Sequence, residues 1–291
     1  MNITIKKLGS SRTQASVILD DDRVRELSDQ AVMELGASVR LKGFRPGKAP
    51  KEMLREHITQ EKIHEWVIQQ EMPLIMQELT GKHALMPIIR PRVELHSLAP
   101  MALIMTLVEK PEAKVARKKI KLPKGEMKGD KEKNDEQDAT KKTPEDEKQK
   151  EDEKLLELIA EHTAVDLAPE LVSDEAEQII EEHAKRMEQF GIQFADWLST
   201  QKKSIADLVR EMQPDAEKRL KIRFGIGALM QDLRIDVTES EMQQAIDALL
   251  SPLTGVQHDE LQNLYKPGER AYEQFKFQKK VEKLLEQLRS A

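Results

Sequence analysis

Residues 36–51 read GASVRLKGFRPGKAPK, a stretch with five cations (Arg40, Lys42, Arg45, Lys48 and Lys51) and no acid. It separates two helical runs, and the rest of the first third of the chain can be read outward from it. Before it, Val24, Leu27, Ala31, Leu35 and Val39 recur at helical spacing, a run that Gly36 weakens near its end. Asp20–Asp22 supply cap oxygens and negative charge where that helix starts. After it, Pro50 suits the first turn of a second helix, where its missing N–H costs nothing. Leu54, Ile58, Trp66 and Val67 form that helix's apolar side, with a kink expected at Pro73 and an end at Gly81.

Further out, Asn2–Leu8 and Arg12–Leu19 alternate in polarity, and Thr13, Ala15, Val17 and Leu19 share one face. Gly9-Ser10-Ser11 between them is a turn signal, so the pair is expected to form a hairpin. Two more strands are expected around Arg92–Ser97 and Met101–Val108. The order β-β-α-loop-α-β-β predicts an α+β domain over residues 1–122, a four-stranded antiparallel sheet with two helices.

Residues 123–154 differ in kind: 21 of the 32 are charged, and only Met127 and Ala139 are clearly apolar. Such a segment buries too little surface to offset the entropy of ordering, and it reads as a flexible or partly helical linker. Its Glu/Lys-rich end could extend the helix that follows. Residues 155–291 read as nearly all helix. Leu155–Ala160 is apolar enough to dock. Pro169 starts a helix with Val172, Ala176, Ile179, Ile180 and Met187 on one side, stopped near Gly191. A long segment runs from Ser204 to about Ile235, interrupted or bent at Pro214. Thr238 with Glu241 reads as a capping box. Pro252 and Gly255 end that helix, and Pro267-Gly268 opens a last one to Ser290. The expectation is an all-α C-terminal domain of extended, arm-like helices, although periodicity equally allows a compact bundle.

Composition narrows the function. The chain has no cysteine, which excludes disulfides, thiol catalysis and Cys-type zinc sites and fits a reducing cytoplasm. Aromatics are 3% and charged residues 34%, leaving little for an aromatic-lined pocket. Neither a signal peptide nor a membrane span is legible, so no membrane partner is expected. The net charge of −6 hides an asymmetry: residues 1–122 hold 21 Lys/Arg against 15 Asp/Glu, residues 155–291 hold 17 against 26. An anionic partner is therefore expected for the first part only.

The loop over 36–51 is where such a partner would bind. An aromatic, Phe44, stands beside Gly43 and before Arg45, and Gly43 and Gly47 permit a tight turn that pushes a tip outward. An aromatic next to a guanidinium on an exposed tip can anchor a partner surface, and the cations favour RNA phosphates or an acidic protein. The alternative is an ordinary interhelical loop with Phe44 folded inward.

Gly43-Phe44-Arg45-Pro46-Gly47-Lys48-Ala49-Pro50 matches the trigger factor signature G-F-R-x-G-x-x-P at every fixed position. The chain is similar to that family over its whole N-terminal part. From residue 155 on it is more weakly similar, through Val165–Leu171 and Ile235-Asp236-Val237. The resemblance implies docking beside the polypeptide exit tunnel of the large ribosomal subunit. Phe44, Arg45 and Lys48 would then contact a ribosomal protein and ribosomal RNA, while Gly43, Gly47 and Pro50 shape the loop. It also implies that the C-terminal helices cradle unfolded nascent chain, and that self-association off the ribosome is possible. The family usually carries an FKBP-like prolyl isomerase of roughly one hundred residues in the middle. The 32-residue charged linker that stands there cannot build a sheet and a pocket, so no isomerase activity, catalytic residue or cofactor is expected. The competing functions are an isomerase like the full-length relatives and a ribosome-docking adaptor with one specific partner.

Four other features have bland readings. His57 and His64, seven apart with Glu61 between, could bind a metal but suit a solvated helix face better. Gly225-Ile226-Gly227 inside a helical run suggests a close helix contact. The basic run Lys114–Lys121 either touches RNA or starts the linker. Met187, Met212, Met230 and Met242 either serve adaptable apolar binding or fill core.

Overall fold

The computed structural model describes residues 1–41, 43–44, 49–121, 144–251 and 261–290. The chain divides into two compact units, Met1–Pro111 with Leu167–Asp174, and Glu112–Asp166 with Glu175–Ala291.

The first unit has the expected α+β architecture. Strands β1 (Asn2–Gly9), β2 (Arg12–Ile18), β3 (Arg92–Leu98) and β4 (Met101–Val108) form an antiparallel sheet in the order β1-β2-β4-β3. The register places Ala15 opposite Met105 and Val17 opposite Leu103, so alternate residues of the two central strands share one face. Those four side chains are fully buried, packed with Leu27, Val67, Ile75 and Leu79 of the helical layer. Helix α1 (Asp21–Gly36) begins where the acid run placed it: the Asp20 carboxylate accepts from the N–H groups of Asp22 and Arg23.

The single helix expected over 50–81 is two, α2 (Lys51–His57) and α3 (Gln60–Gly81). Ile58 adopts an extended conformation and Thr59 sits at the start of α3. Breaking there lets Ile58 bury its side chain with Leu54 and Ile63, so tertiary packing overrides local helical pattern. Pro73 lies inside α3 and does not end it.

The second unit is mostly helical: α4 (Pro144–Glu161), α5 (Pro169–Gln189), α6 (Phe194–Gln201), α7 (Ile205–Asp232), α8 (Glu239–Leu250) and α9 (Arg270–Arg289), with the first turn of α5 counted in the other unit. A short antiparallel pair, β5 (Ala113–Val115) and β6 (Thr163–Val165), joins them. The basic run at 114–121 is thus a strand and a 3-10 turn, and Ile120 is buried beside Leu155, Ile159, Ile226, Leu229 and Leu284. Gly225 is a close contact: a β-carbon there would meet the Thr163 hydroxyl and lie 2.7 Å from Ile159 Cγ2, whereas Gly227 faces open space. Ser204 and Thr238 head α7 and α8 in full capping boxes with Asp207 and Glu241. Pro252 and Gly255 lie outside the described residues. Between α5 and α7 the buried Glu175 carboxylate meets Arg219 at 3.0 Å and Arg223 at 2.8 Å, and Arg219 also grips Glu182 with two hydrogen bonds. No described helix is long and apolar enough to cross a membrane.

Candidate functional site

The loop after α1 is built on a small cluster of its own. Ala31 and Val32 of α1, Ala49 of the loop, Leu54 of α2, Ile58 and Ile63 are buried together, with Leu35, Val39, Leu41 and Trp66 packed around them. Gly36 permits this, because α1 ends directly against Leu54. The loop therefore leaves α1 and returns to α2 from a fixed base. Burial of Ala49 and the position of Pro50 set the return, and the Leu54 N–H donates to the Pro50 carbonyl at 3.1 Å.

On this base Gly43 has φ +90°, a conformation that L side chains rarely adopt, and no atom lies near where its β-carbon would be. The Phe44 N–H donates to the Leu41 carbonyl at 3.2 Å, closing a turn. Phe44 is 40% exposed and belongs to none of the buried clusters among the described residues. Pro50 is exposed and stands at the N-terminus of α2. Arg45, Gly47 and Lys48, the remaining expected site residues, lie outside the described residues, as do Lys42 and Pro46.

The cations at the base are not equivalent. Arg40 is exposed and makes no ion pair among the described residues. Lys51 pairs with Asp29 of α1, and Arg55 lies 3.8 Å from the same carboxylate. Hydrogen bonding from Lys51, with the charge of Arg55 beside it, holds the Asp29 carboxyl below the usual aspartate value. Part of the positive charge read from the sequence is therefore answered within the fold.

A second surface escaped the sequence reading. Beyond α5, Phe190 is 78% exposed and Ile192 48%, and Ile205 at the start of α7 is exposed too. Phe194 and Trp197 of α6 stack nearby in sequence, with ring centroids 5.7 Å apart. Three of the ten aromatics of the chain fall within residues 190–197. That local density in an aromatic-poor sequence was the available signal. Of the four singled-out methionines, Met242 is buried and Met230 packs against the core, while Met187 and Met212 are half-buried. His57 ends α2 and His64 belongs to α3, so the two do not share one helix face. Among the described residues no group of three His, Cys, Asp or Glu could hold a metal ion.

Residues 1–140 match the family model described as bacterial trigger factor protein, and residues 126–289 match the model of its C-terminus. The trigger factor of Moorella thermoacetica is 34% identical over 95 residues, 33% of this chain and 21% of that protein. The trigger factor of Natranaerobius thermophilus is 27% identical over 118 residues, 40% of this chain and 26% of that protein. The matched stretch thus spans about a fifth to a quarter of these curated relatives. A solved structure from work on promiscuous substrate recognition in folding and assembly activities of the trigger factor chaperone superimposes with a TM-score of 0.62 at 16% identity. It covers 99% of both chains, a likeness of fold along the whole length. Two family models that together run from residue 1 to residue 289 settle the classification: the chain belongs to the trigger factor family.

Proposed function

We propose that this protein is a cytoplasmic, ATP-independent chaperone that docks beside the ribosomal exit tunnel through the tip at residues 43–50 and shelters emerging chain on its helical part. The observation that carries the reading is Phe44, half in solvent on a turn that Gly43 makes possible, inside a basic stretch with the family signature. An exposed ring at a cationic tip suits a socket of ribosomal protein and RNA. Phe190, Ile192 and Ile205 add apolar surface in the helical unit, which favours transient capture of unfolded segments over a closed adaptor bundle.

Shielding of this kind needs no bond chemistry. The two matched family regions overlap over residues 126–140 and leave no stretch between them for an isomerase domain. This supports a chaperone reading without prolyl isomerisation, and a turnover rate proportional to protein concentration in a prolyl-peptide assay would count against it. The docking reading is tested by co-sedimentation with ribosomes at low and moderate salt, beside a Phe44→Ala/Arg45→Ala variant. Salt-sensitive pelleting that the double substitution largely abolishes is expected. Equal pelleting of both proteins would remove the tip from the mechanism.

A further inference from the structure

We propose that the groove between α3 and the edge strand β3 binds an extended, apolar polypeptide segment carrying Lys or Arg, giving the sheet unit a client site of its own. The proposal rests on the chaperone reading above and adds to it where, and for which segments, one contact is made.

The groove exists because the helical layer stops short. Val93 and Leu95 of β3 lie opposite Met105 and Leu103 of β4, so they point to the same face of the sheet. Met105 and Leu103 are fully buried, but Leu95 is 43% and Leu98 56% exposed. The core face is roofed over β4 and open over β3. The resulting hollow has a volume of about 550 Å³, within the range of pockets that hold ligands. Its apolar floor is completed by Ile68 of α3.

Charge decides the occupant. Glu61 and Glu65, one turn apart on α3, stand at the rim, and neither carboxylate makes an ion pair or hydrogen bond among the described residues. Two uncompensated carboxylates beside half-exposed leucines repel acidic ligands and complement a segment that alternates apolar and basic side chains. An elongated shape suits the site, because β3 is the outer strand of the sheet and the groove follows it.

The test uses the full chain and fluorescence anisotropy with two labelled peptides of about ten residues, one alternating Leu with Arg, the other Leu with Glu, at low salt. The Arg peptide is expected to bind and the Glu peptide to bind much more weakly. Leu98→Asp and the pair Glu61→Lys/Glu65→Lys should each weaken the Arg peptide roughly tenfold, the scale of one lost anchor. The charge-reversed pair should gain affinity for the Glu peptide. All three positions are exposed, and an unchanged melting temperature establishes that the variants fold. Affinities that do not change in these variants, or no binding by either peptide, overturn the groove. If binding instead disappears in Phe190→Ser, the groove fails while the chaperone reading stands. If the groove variants alter the sedimenting mass and leave peptide affinity alone, the occupant is a second copy of the chain and the proposal fails.

Discussion

Gly36 ends α1 directly against Leu54 of α2: a β-carbon on the glycine would lie 2.8 Å from Leu54 Cδ1 and within 3.2 Å of two more of its carbons. Leu54 is fully buried, so it has little room to turn away. Overpacking of this kind costs about 1–3 kcal/mol, and the better helix propensity of alanine returns about 1 kcal/mol. Gly36→Ala is therefore expected to lower the stability of the first unit by about 1 kcal/mol. Urea unfolding followed by Trp66 emission in a Trp197→Phe background reads that unit. Leu54→Ala alone should cost about 2–5 kcal/mol, and the double variant should cost less than the sum by about 1–3 kcal/mol, the overpacking cost that disappears with the overlap. Strict additivity would mean that the two residues do not press on each other.

The same base restrains the charge of the proposed docking tip. Asp29 answers Lys51 and sits close to Arg55. Asp29→Asn releases both cations without altering side-chain shape. If the partner is phosphate-rich, ribosome affinity at low salt should rise roughly two- to threefold and fall more steeply with salt. Co-sedimentation across a salt series measures both, and a weaker variant would point to a partner that does not use this charge.

Much of this fold could be read from residue patterns because the deciding signals were local. The Gly9–Ser11 turn, the Asp20 cap and the Thr238 capping box each formed where the sequence placed them. What escaped depends on contacts distant in sequence. The break at Ile58 follows from burial beside Ile63 and Leu54, and β5 forms only by pairing with β6, some fifty residues later. The Gly225 contact was readable as a type, but its partners Ile159 and Thr163 were not. At the tip, the glycine and the ring were legible, whereas the neutralising role of Asp29, a full helix away, was not.

Acid should act on the second unit through Glu182. The Arg219 hydrogen bonds, with the nearby charge of Arg219, hold this carboxyl below its usual value near 4.5. A depressed folded-state value means that the unfolded chain takes up the proton more readily. The pair's contribution is thus complete above about pH 4.5 and is lost as pH falls through the lower folded value. Glu182→Gln removes this contribution and leaves Arg219 on Glu175. Its stability deficit relative to the parent should be present at pH 6 to 7 and shrink toward pH 3. Both side chains are about half exposed, so the deficit is expected to be small and to weaken with salt. A deficit that does not vary with pH would assign the effect to packing.

The exposed apolar turn after α5 separates stability from function most cleanly. Phe190 and Ile192 are largely in solvent, so Phe190→Ser/Ile192→Ser should change unfolding stability by no more than about 0.5 kcal/mol. If the turn captures clients, the same variant should need roughly three times more protein to suppress aggregation of an unfolded substrate, because a solvent-facing aromatic supplies a large part of transient apolar contact. Phe44→Ala/Arg45→Ala should do the opposite, abolishing ribosome pelleting while aggregation suppression off the ribosome persists. Finding both functions lost together in either variant would mean that docking and capture share one surface, since Phe44, Phe190 and Ile192 are all exposed.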